Sequence, residues 1–454
     1  MNTLDAAAAA LATILSGLEE GTPTRSAAGS ATGESVAARL RGAAGVRHAA
    51  REAARQAGRD TASMPGDQRL RDFFRQHPGL GKRDRLQIGD WVFDVLRNLR
   101  LYEALARRQA PPVQAATMGT TEPPSESSSV SPSEPPAEPP DPKAHARRLI
   151  RLAQAAEPLP GLDNLPEPVR FSLPDWLWER LQAAYGDRAT SIAAALLLPS
   201  PIDLRANLLK GKADVLRQKL AERGVEAVAI DQVPTGLRVV GRPNLEKLDL
   251  FEQGWFEIQD AGSQRIVDFS EPRRGQLVVD FCAGAGGKTL AIAARMRNVG
   301  KVLAFDTGEE RLSRLMPRAR RAGADIANAM RIDGVQDPRL ARYFRRADVV
   351  LVDAPCSGTG TLRRSPDMKW RLTAARVAQH VQEQRAILVA AAKLVKPGGK
   401  LVYATCSLLQ EENEQQVDCF AEAGFDLIEM KAWLPDEGPS SGFFVAKWLL
   451  RGSE

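Results

Sequence analysis

Short apolar runs alternate with helical patterns through roughly the last 200 residues of this 454-residue chain. This alternation constrains the fold more than any other feature, because it predicts a mostly parallel α/β sheet with helices on both faces. In such a sheet, ligands bind beyond the carboxyl ends of the strands. Strands are expected at Leu277–Phe281, Lys301–Asp306, Ile326–Ile332, Val349–Asp353, Gly399–Thr405, Leu427–Met430 and Phe443–Leu449.

Composition divides the chain into four regions. Residues 1–60 are rich in Ala, Gly and Arg and are expected to form a flexible or loosely helical tail. Apolar residues at helical spacing predict a helical domain over residues 61–198, interrupted by a Pro-, Ser- and Glu-rich insertion at 111–142 that is expected to be disordered. A small β-α-β-β pattern follows at 199–255, and the sheet domain occupies 256–454.

The composition also limits where such a chain works. Four cysteines without paired spacing argue against a disulfide framework and favour a reducing compartment, so a cytoplasmic protein is expected. The apolar start, Ala6 to Leu18, has no basic region before it, and no run approaches the roughly 18 apolar residues of a membrane span. Scattered histidines and cysteines give no metal-ligand spacing, so no metal site is expected. A net charge of +6 permits a polyanionic partner.

A strand, a glycine-rich turn and a helix follow one another in LVVDFCAGAGGKT, from Leu277 to Thr289. Glycines let a ligand approach the backbone, and the helix N-terminus offers free N–H groups, so this turn predicts a nucleotide site. A phosphate-binding P-loop is excluded, because its first glycine would fall where Cys282 stands.

Acidic residues close four successive strands of the predicted sheet. Asp306 closes the second strand, where a carboxylate accepts both hydroxyls of a ribose. Asp333 follows the third strand and suits an adenine amino group, and Asp353 closes the fourth. Together with Asp280, they predict a pocket for a nucleoside that carries an amino acid. For Asp280 or Asp333 alone, a helix cap or turn residue is the alternative.

Two cysteines stand where buried strands run into loops: Cys356 in LVDAPCSGTG and Cys406 in KLVYATCSLLQEEN. A thiol pair beside a nucleotide turn suits methylation at a pyrimidine carbon. One thiolate adds to C6, C5 then attacks a methyl sulfonium, and the C5 proton is lost as the thiol leaves. The base has to leave any stack to reach such a site. The alternative for both is a buried cysteine at a strand end; Cys282 and Cys419 are expected to be packing residues.

Basic residues provide two groups of candidate phosphate contacts. The first group, for which a solvated helix face is the alternative, consists of Lys82, Arg83, Arg85, Arg97, Arg100 and Arg107. The second follows the first thiol motif and consists of Arg363, Arg364, Lys369 and Arg371. Trp370 lies among them and suits stacking on a base, with interior packing as the alternative.

The segments DFCAGAGGKT, DAPCSGTGTLRRSPDMKW and YATCSLLQEENE resemble, in order, the signature motifs of the RsmB (Fmu/Sun/Nop) family of RNA 5-methylcytosine methyltransferases, which use S-adenosylmethionine. The resemblance implies a Rossmann-like seven-stranded methyltransferase sheet. PIDLRANLLKGK resembles the start of the small RRM-like α/β domain that precedes it. GKRDRLQIGDWVFDVLRNLRLYEAL, within Gly81–Arg108, resembles the helical NusB-like RNA-binding domain of bacterial members.

The resemblance also implies residue roles. Cys406 would be the nucleophile on C6, Cys356 would assist proton removal and product release, and Lys288 and Asp353 would pair near the target base. The family's turn has proline where this chain has Ala285, which predicts a more flexible turn. The positions implied for S-adenosylmethionine are Cys282, Ala283, Gly284, Ala285, Gly286, Gly287, Lys288, Asp306, Arg311, Asp333 and Asp353.

The function predicted is therefore methylation of cytosine C5 in RNA, with small-subunit ribosomal RNA as the expected partner of a monomeric enzyme. Transfer RNA is an alternative substrate. A DNA cytosine methyltransferase is another alternative, but such enzymes use the Pro-Cys thiol and a Glu-Asn-Val motif, whereas the nearest triplet here is Glu412-Asn413-Glu414. A third alternative is an RNA-binding ribosome-assembly factor without catalysis, although neither thiol and none of the acids is missing.

Overall fold

The computed structural model describes residues 2–19, 64–108, 141–155 and 162–452. The chain forms two compact units, Met1–Leu173 and Pro174–Glu454. Most of the predicted tail and residues 111–140 of the predicted insertion lie outside the described residues.

The first unit is helical in its described part. It contains α1 (Thr3–Glu19), α2 (Gly66–Gln76), α3 (Lys82–Arg108), α4 (Pro142–Ala153) and the short α5 (Glu167–Arg170).

Helix α1 corrects the prediction of a flexible or loosely helical tail for the start of the chain. Its residues Ala6, Ala7, Leu11 and Ile14 are buried, and the helix packs against α3 and α4. Small alanine side chains let helices approach closely, and the two larger residues fill the space between them. The alanine-rich composition that suggested flexibility is here a packing surface.

Helix α3 has the apolar seam that its periodicity predicts. Ile88, Val92 and Leu96 along it are fully buried. The basic residues of the same helix do not share one exposed face. Arg97 is buried, and the guanidinium of Arg100 donates to the carbonyl of Leu173 at 2.7 Å. Lys82, Arg83 and Arg107 are exposed.

The second unit begins with α6 (Asp175–Tyr185) and α7 (Arg188–Leu196). Helical periodicity predicts instead that both helices belong to the preceding helical domain, residues 61–198. Side chains of the sheet domain hold these helices. The guanidinium of Arg363 donates to the carbonyl of Ala195, and that of Arg188 pairs with Asp436 at 2.8 Å. Such contacts join residues far apart in sequence, so helical periodicity does not reveal them.

The small domain that follows has a four-stranded antiparallel sheet in the order β2-β3-β1-β4. Its elements are β1 (Ile202–Ala206), α8 (Ala213–Ala221), β2 (Ala227–Ala229), β3 (Gly236–Val239), α9 (Asp249–Glu252) and β4 (Phe256–Ile258). The domain boundary predicted at residue 255 excludes β4, because β4 is short and two short helices, Leu245–Lys247 and Asp249–Glu252, separate it from β3. Leu204 and Phe256 lie in the apolar core of this domain, whereas Arg205 and Glu257 alternate with them and face the other side.

The sheet domain has seven strands in the order β10-β11-β9-β8-β5-β6-β7, and all seven predicted strands are present. They are β5 (Leu277–Phe281), β6 (Lys301–Asp306), β7 (Ala327–Arg331), β8 (Ala347–Asp353), β9 (Val395–Thr405), β10 (Phe425–Trp433) and β11 (Phe443–Leu450). Strands β5 to β9 are parallel, and β11 runs antiparallel to both of its neighbours.

Helices cover both faces of this sheet. They are α10 (Ala261–Ser270), α11 (Gly287–Arg295), α12 (Glu309–Ser313), α13 (Leu315–Ala322), α14 (Met368–Arg371), α15 (Ala374–Ala392) and α16 (Glu414–Cys419). Short 3₁₀ helices lie at Leu162–Asn164, Leu245–Lys247, Pro338–Tyr343, Thr359–Thr361, Gln410–Glu412 and Pro435–Glu437. Along β5, Val278 packs with α10 and α11, and Val279 packs with α15, as the two-residue period of a strand requires.

The strand order reverses between β5 and β8, which is where sheets of this kind bind ligands. The carboxyl ends of β5, β8 and β9 carry the glycine-rich turn, Cys356 and Cys406 respectively. No helix in the described ranges is long and apolar enough to cross a membrane.

Candidate active site

The glycine-rich turn after β5 has a backbone that few residues tolerate. Gly284 and Gly286 have φ angles of +55° and +84°, in the left-handed region. A Cβ on Gly286 would lie 2.5 Å from Cγ of Leu315. Cys282 has a φ angle of +75°, and its N–H donates to the carbonyl of Phe305 at 2.9 Å. The turn is thereby tied to β6, and its backbone lies beside the N-terminus of α11.

Asp306, at the end of β6, faces this turn. Its buried carboxylate accepts hydrogen bonds from the N–H of Gly284 at 2.7 Å and of Gly308 at 2.6 Å. The guanidinium of Arg311 donates to the same carboxylate at 3.0 Å. Two predicted cofactor residues, Asp306 and Arg311, are therefore in contact. An ionised carboxylate has about four acceptor positions, so capacity remains for a ribose hydroxyl.

Lys288 and Asp353 form an ion pair between the start of α11 and the end of β8. Their Nζ and Oδ2 atoms are 2.5 Å apart, and Lys288 is buried. Burial is the largest single influence and lowers the pKa of Lys288, but the charge and hydrogen bond of Asp353, with smaller contributions from Asp280 and Cys406, together outweigh it. The net effect raises the pKa, so the lysine is an ammonium ion at the centre of the site.

Asp333 lies further out than the other acids. Its side chain is 68% exposed and pairs with Arg331 at 3.2 Å and with Arg339 at 3.5 Å. Its own N–H donates to the carboxylate of Asp337 at 2.9 Å. Arg339 holds the pKa of Asp337 well below its usual range. The structure therefore brings Asp280, Asp306 and Asp353 together, but leaves Asp333 at the rim.

The two thiols meet although 50 residues separate them in sequence. Sγ of Cys356 and Sγ of Cys406 are 3.4 Å apart, because β8 and β9 are neighbours in the sheet. The N–H of Gly360 donates to the carbonyl of Cys406 at 2.9 Å, which joins the two loops a second time. The hydrogen bond to Cys406 raises the pKa of Cys356 well above its usual range, and burial and the charge of Glu412 act in the same direction.

The other two cysteines differ from each other. Cys282 packs against the apolar core beside Phe281, and burial raises the pKa of its thiol. Cys419 is exposed at the end of α16, where the guanidinium of Arg385 lies 3.3 Å from its sulfur. The predicted packing role is therefore confirmed for Cys282 and wrong for Cys419, because α16 turns this residue outward.

Two of the four basic residues after Cys356, Arg363 and Lys369, are buried, which corrects their prediction as phosphate contacts. Arg363 is buried and donates to the carbonyls of Ala195, Pro435, Gly438 and Ser440. Three further basic residues also have protein partners. Lys369 is buried with its Nζ 5.0 Å from the ring centre of Trp370, Arg371 pairs with Asp367 at 2.9 Å, and Arg364 pairs with Asp260 at 2.7 Å.

Asp280 is fully buried beneath the turn. The hydroxyl of Thr289 donates to its Oδ2 at 2.6 Å, and its Oδ1 is buried with no hydrogen-bond partner among the described residues. Burial raises the pKa of Asp280 to about 6, and the charge of Asp353 adds to this, against the hydrogen bond from Thr289. An unpaired carboxylate oxygen below the turn is a polar group that a bound ligand or water would satisfy.

Residues of the small domain hold the turn from outside, and sequence reasoning missed them. The guanidinium of Arg205 in β1 donates to the carbonyl of Gly287 at 2.6 Å. That of Arg318 in α13 donates to the carbonyl of Ala285 at 2.6 Å and to Glu257 in β4 at 2.7 Å. The Ala285 position, where the family has proline, is thus held by a hydrogen bond. No sequence motif signals these contacts, because they join residues that are far apart in the chain.

The same contacts bury part of one face of the small domain's sheet. Its helix-free face carries Arg205 and Glu257, which are both buried against the sheet domain. Burial lowers the pKa of Arg205 to about 10, although the charge of Glu257 opposes this. The face therefore supports the cofactor turn and is buried at β1 and β4, whereas Val228 in β2 is exposed on the same face.

The described residues include no group of three His, Cys, Asp or Glu side chains that could hold a metal ion.

Comparisons with known proteins agree with this architecture. The family model described as 16S rRNA methyltransferase RsmB/F matches residues 268–448. The model described as the ferredoxin-like domain of RsmF/B-like methyltransferases matches residues 173–246, which include α6 and α7.

Curated relatives extend the match. A probable ribosomal RNA small subunit methyltransferase B from Synechocystis sp. is 35% identical over 278 residues, which cover 61% of this chain and 62% of that protein. Ribosomal RNA small subunit methyltransferase B from Sodalis glossinidius is 33% identical over 310 residues, which cover 66% of this chain and 71% of that protein. The chain thus spans slightly less than two thirds of the length of the Synechocystis relative.

A solved structure described as a methyltransferase homologue from Pyrococcus horikoshii superimposes with a TM-score of 0.56 at 27% identity, over 64% of this chain and 99% of that one. S-adenosylmethionine is the cofactor that the family identifies. The left-handed glycines of the turn, the carboxylate of Asp306 and the unpaired oxygen of Asp280 fit a nucleoside that carries an amino acid. The chain belongs to the RsmB/F family of methyltransferases.

Proposed function

We propose that this protein transfers a methyl group from S-adenosylmethionine to C5 of a cytosine in RNA. The observation that carries the proposal is the 3.4 Å separation of the Cys356 and Cys406 sulfurs at the carboxyl ends of β8 and β9. They lie beside the Lys288–Asp353 ion pair and the glycine-rich turn. A thiol for addition, a second thiol for release and a nucleoside site are the parts that this reaction needs.

The charges around the thiols favour Cys406 as the nucleophile. The rise in the pKa of Lys288 includes a small contribution from Cys406, so the ammonium group lies within electrostatic range of this sulfur. Cys356 is held as a neutral thiol by its hydrogen bond to Cys406, by burial and by Glu412. A neutral thiol at Cys356 and a cation near the sulfur of Cys406 therefore favour Cys406 as the attacking residue. The Cys406 thiolate adds to C6 of the cytosine, and the electron pair released at C5 makes that carbon nucleophilic.

S-adenosylmethionine supplies the electrophilic methyl group that C5 takes up. Release then requires loss of the C5 proton and cleavage of the bond between C6 and the Cys406 sulfur. We assign the proton transfers to Cys356. Its thiol proton passes to the departing Cys406 sulfur, and its own sulfur accepts the C5 proton, so that both residues end as thiols. Cys406 returns to the thiolate by losing one proton to solvent, which balances the methylation.

Small-subunit ribosomal RNA is the substrate that we propose, because the relatives described above are named for it. The second thiol also favours RNA over DNA as the substrate, because a DNA cytosine methyltransferase needs only the thiol of the Pro-Cys motif. The cytoplasm is the compartment that this substrate implies.

A substrate panel tests the proposal. Unmodified small-subunit ribosomal RNA, transfer RNA and a cytosine-rich DNA duplex are incubated with the protein and S-adenosylmethionine labelled in the methyl group. The expected result is label in ribosomal RNA, recovered as 5-methylcytidine after nuclease digestion and mass spectrometry. Label in DNA alone, at another atom of the base, or in no polymer would contradict the proposal.

A further inference from the structure

Each of the two cysteines is followed by a serine, and both serines contact the same carboxylate. The hydroxyls of Ser357 and Ser407 each donate to Oε2 of Glu412 at 2.5 Å. The N–H of Ser357 donates to Oε1 at 2.8 Å, and the side-chain amide of Gln384 donates to Oε1 at 3.1 Å. One acid side chain thus connects the loop of Cys356 with the loop of Cys406.

Glu412 is fully buried, and the donors that contact its carboxylate among the described residues are hydroxyl and amide groups. Removing a carboxylate from water is costly unless several hydrogen bonds replace its hydration. The four bonds to Glu412 supply that replacement from two loops and from α15. Because the carboxylate needs donors from both loops, it favours the geometry in which the loops are close.

Further hydrogen bonds surround this contact. The hydroxyl of Thr359 lies 3.2 Å from that of Ser357 and 3.3 Å from that of Ser407, and it accepts from the N–H of Leu408 at 2.8 Å. The phenol of Tyr403 donates to the backbone carbonyl of Glu412 at 2.7 Å, which fixes the backbone position of this residue.

We infer that Glu412 is the positioning residue of the two-thiol centre: its carboxylate holds the Cys356 and Cys406 loops together. The inference rests on the proposed function for the catalytic meaning of the thiols, but the contacts themselves do not depend on the substrate. A shift of about 1 Å in reacting groups can lower a rate by about 100-fold, so a residue that fixes the separation of two sulfurs affects catalysis without touching the base.

The test compares Glu412→Gln with the matched control Glu411→Gln. Glu411 is the preceding residue and pairs with Arg180, so the same change is made one position away from the thiol contact. The amide introduced by Glu412→Gln keeps the side-chain volume but loses the charge and one acceptor oxygen. Ser407→Ala, which removes one donor and keeps the carboxylate, serves if Glu412→Gln does not fold.

Two readouts are expected to change. In RNA methylation, kcat of Glu412→Gln falls by about 100-fold, while the KM for S-adenosylmethionine stays within about twofold of the wild-type value. The kcat of Ser407→Ala falls by about tenfold. In thiol alkylation with iodoacetamide, followed by peptide mass spectrometry without RNA, the pH midpoint for Cys356 moves to lower pH in Glu412→Gln, because Glu412 raises the pKa of that thiol. Glu411→Gln matches the wild type in both.

The inference is overturned if the alkylation midpoint of Cys356 and kcat in Glu412→Gln both stay within the range of the control. For Ser407→Ala, an unchanged kcat has the same meaning. A wild type that methylates no RNA, together with a shifted Cys356 midpoint in Glu412→Gln, would contradict the proposed function and leave the positioning role supported. The alkylation readout therefore separates the two failures.

Discussion

On the cofactor side of the site, charged side chains hold the backbone, whereas on the thiol side hydroxyl and amide groups surround one carboxylate. Arg318 and Glu257 fasten the glycine-rich turn through an ion pair, and Lys288 joins the turn to Asp353. Around Glu412, the donors are serines and a glutamine. The difference indicates that cofactor affinity and thiol geometry have separate supports and can be altered separately.

The two sides meet at Lys288, so its removal is expected to have the largest effect. Lys288→Met leaves Asp353 without its ion-pair partner and removes the cation near Cys406. We expect kcat for RNA methylation to fall on the order of 10³-fold, with slower alkylation of Cys406 at neutral pH. Lys301→Met, at the exposed start of β6, is the control. Activity of Lys288→Met within about tenfold of the control would show that the two sides are not linked there.

The buried acid beneath the turn gives the next largest effect, in stability. The pKa of Asp280 is about 6 in the folded protein against 3.8 ordinarily, so its contribution to stability is present below pH 3.8 and is lost as the pH rises through 6. As the pH rises from about 4 to 7.5, we expect the free energy of unfolding of the wild type to fall by up to about 3 kcal/mol relative to that of Asp280→Asn. Chemical denaturation at both pH values measures this.

The matched control is Asp325→Asn, which removes an exposed acid. If Asp280→Asn differs from the wild type by the same amount at both pH values, Asp280 does not titrate in this range. The cofactor side would then lack the buried, proton-sensitive acid that distinguishes it from the thiol side.

The smallest effect is expected from the outer support of the turn. Arg318→Ala removes the hydrogen bond to the Ala285 carbonyl and leaves Glu257 with Arg321 alone. We expect the KM for S-adenosylmethionine to rise about tenfold, as one charged hydrogen bond predicts, while kcat changes by less than about threefold. Arg314→Ala, an exposed neighbour paired with Glu310, is the control. A loss in kcat alone would contradict the separation of the two sides.

The sequence predicted the parts of the fold and site that have a local pattern. Seven apolar strands, the turn between Asp280 and Lys288, and cysteines at the exits of β8 and β9 are each visible within about ten residues. The strands of the small domain were predicted except for β4, which is short and is separated from β3 by two short helices. The packing of α1 was missed because alanine-rich segments resemble flexible ones in composition.

The supports of the site could not be predicted in the same way, because they depend on which strands become neighbours. Glu412 lies within a quoted motif, yet its hydrogen bonds to Ser357 and Ser407 appear only when β8 and β9 are adjacent. Arg205 has no motif and acts across a domain boundary. Arg363 was misassigned for the same reason, since its carbonyl partners come from distant segments.

The most direct test of the two-thiol account measures methyl transfer from labelled S-adenosylmethionine to unmodified small-subunit ribosomal RNA by the wild type, Cys406→Ala and Cys356→Ala. The account predicts that Cys406→Ala is inert, because no thiolate can add to C6. It predicts that Cys356→Ala accumulates a protein–RNA adduct that survives denaturation, because addition proceeds and release does not. Retained activity in Cys406→Ala, or an adduct that forms in Cys406→Ala and not in Cys356→Ala, would contradict the assignment of the two roles.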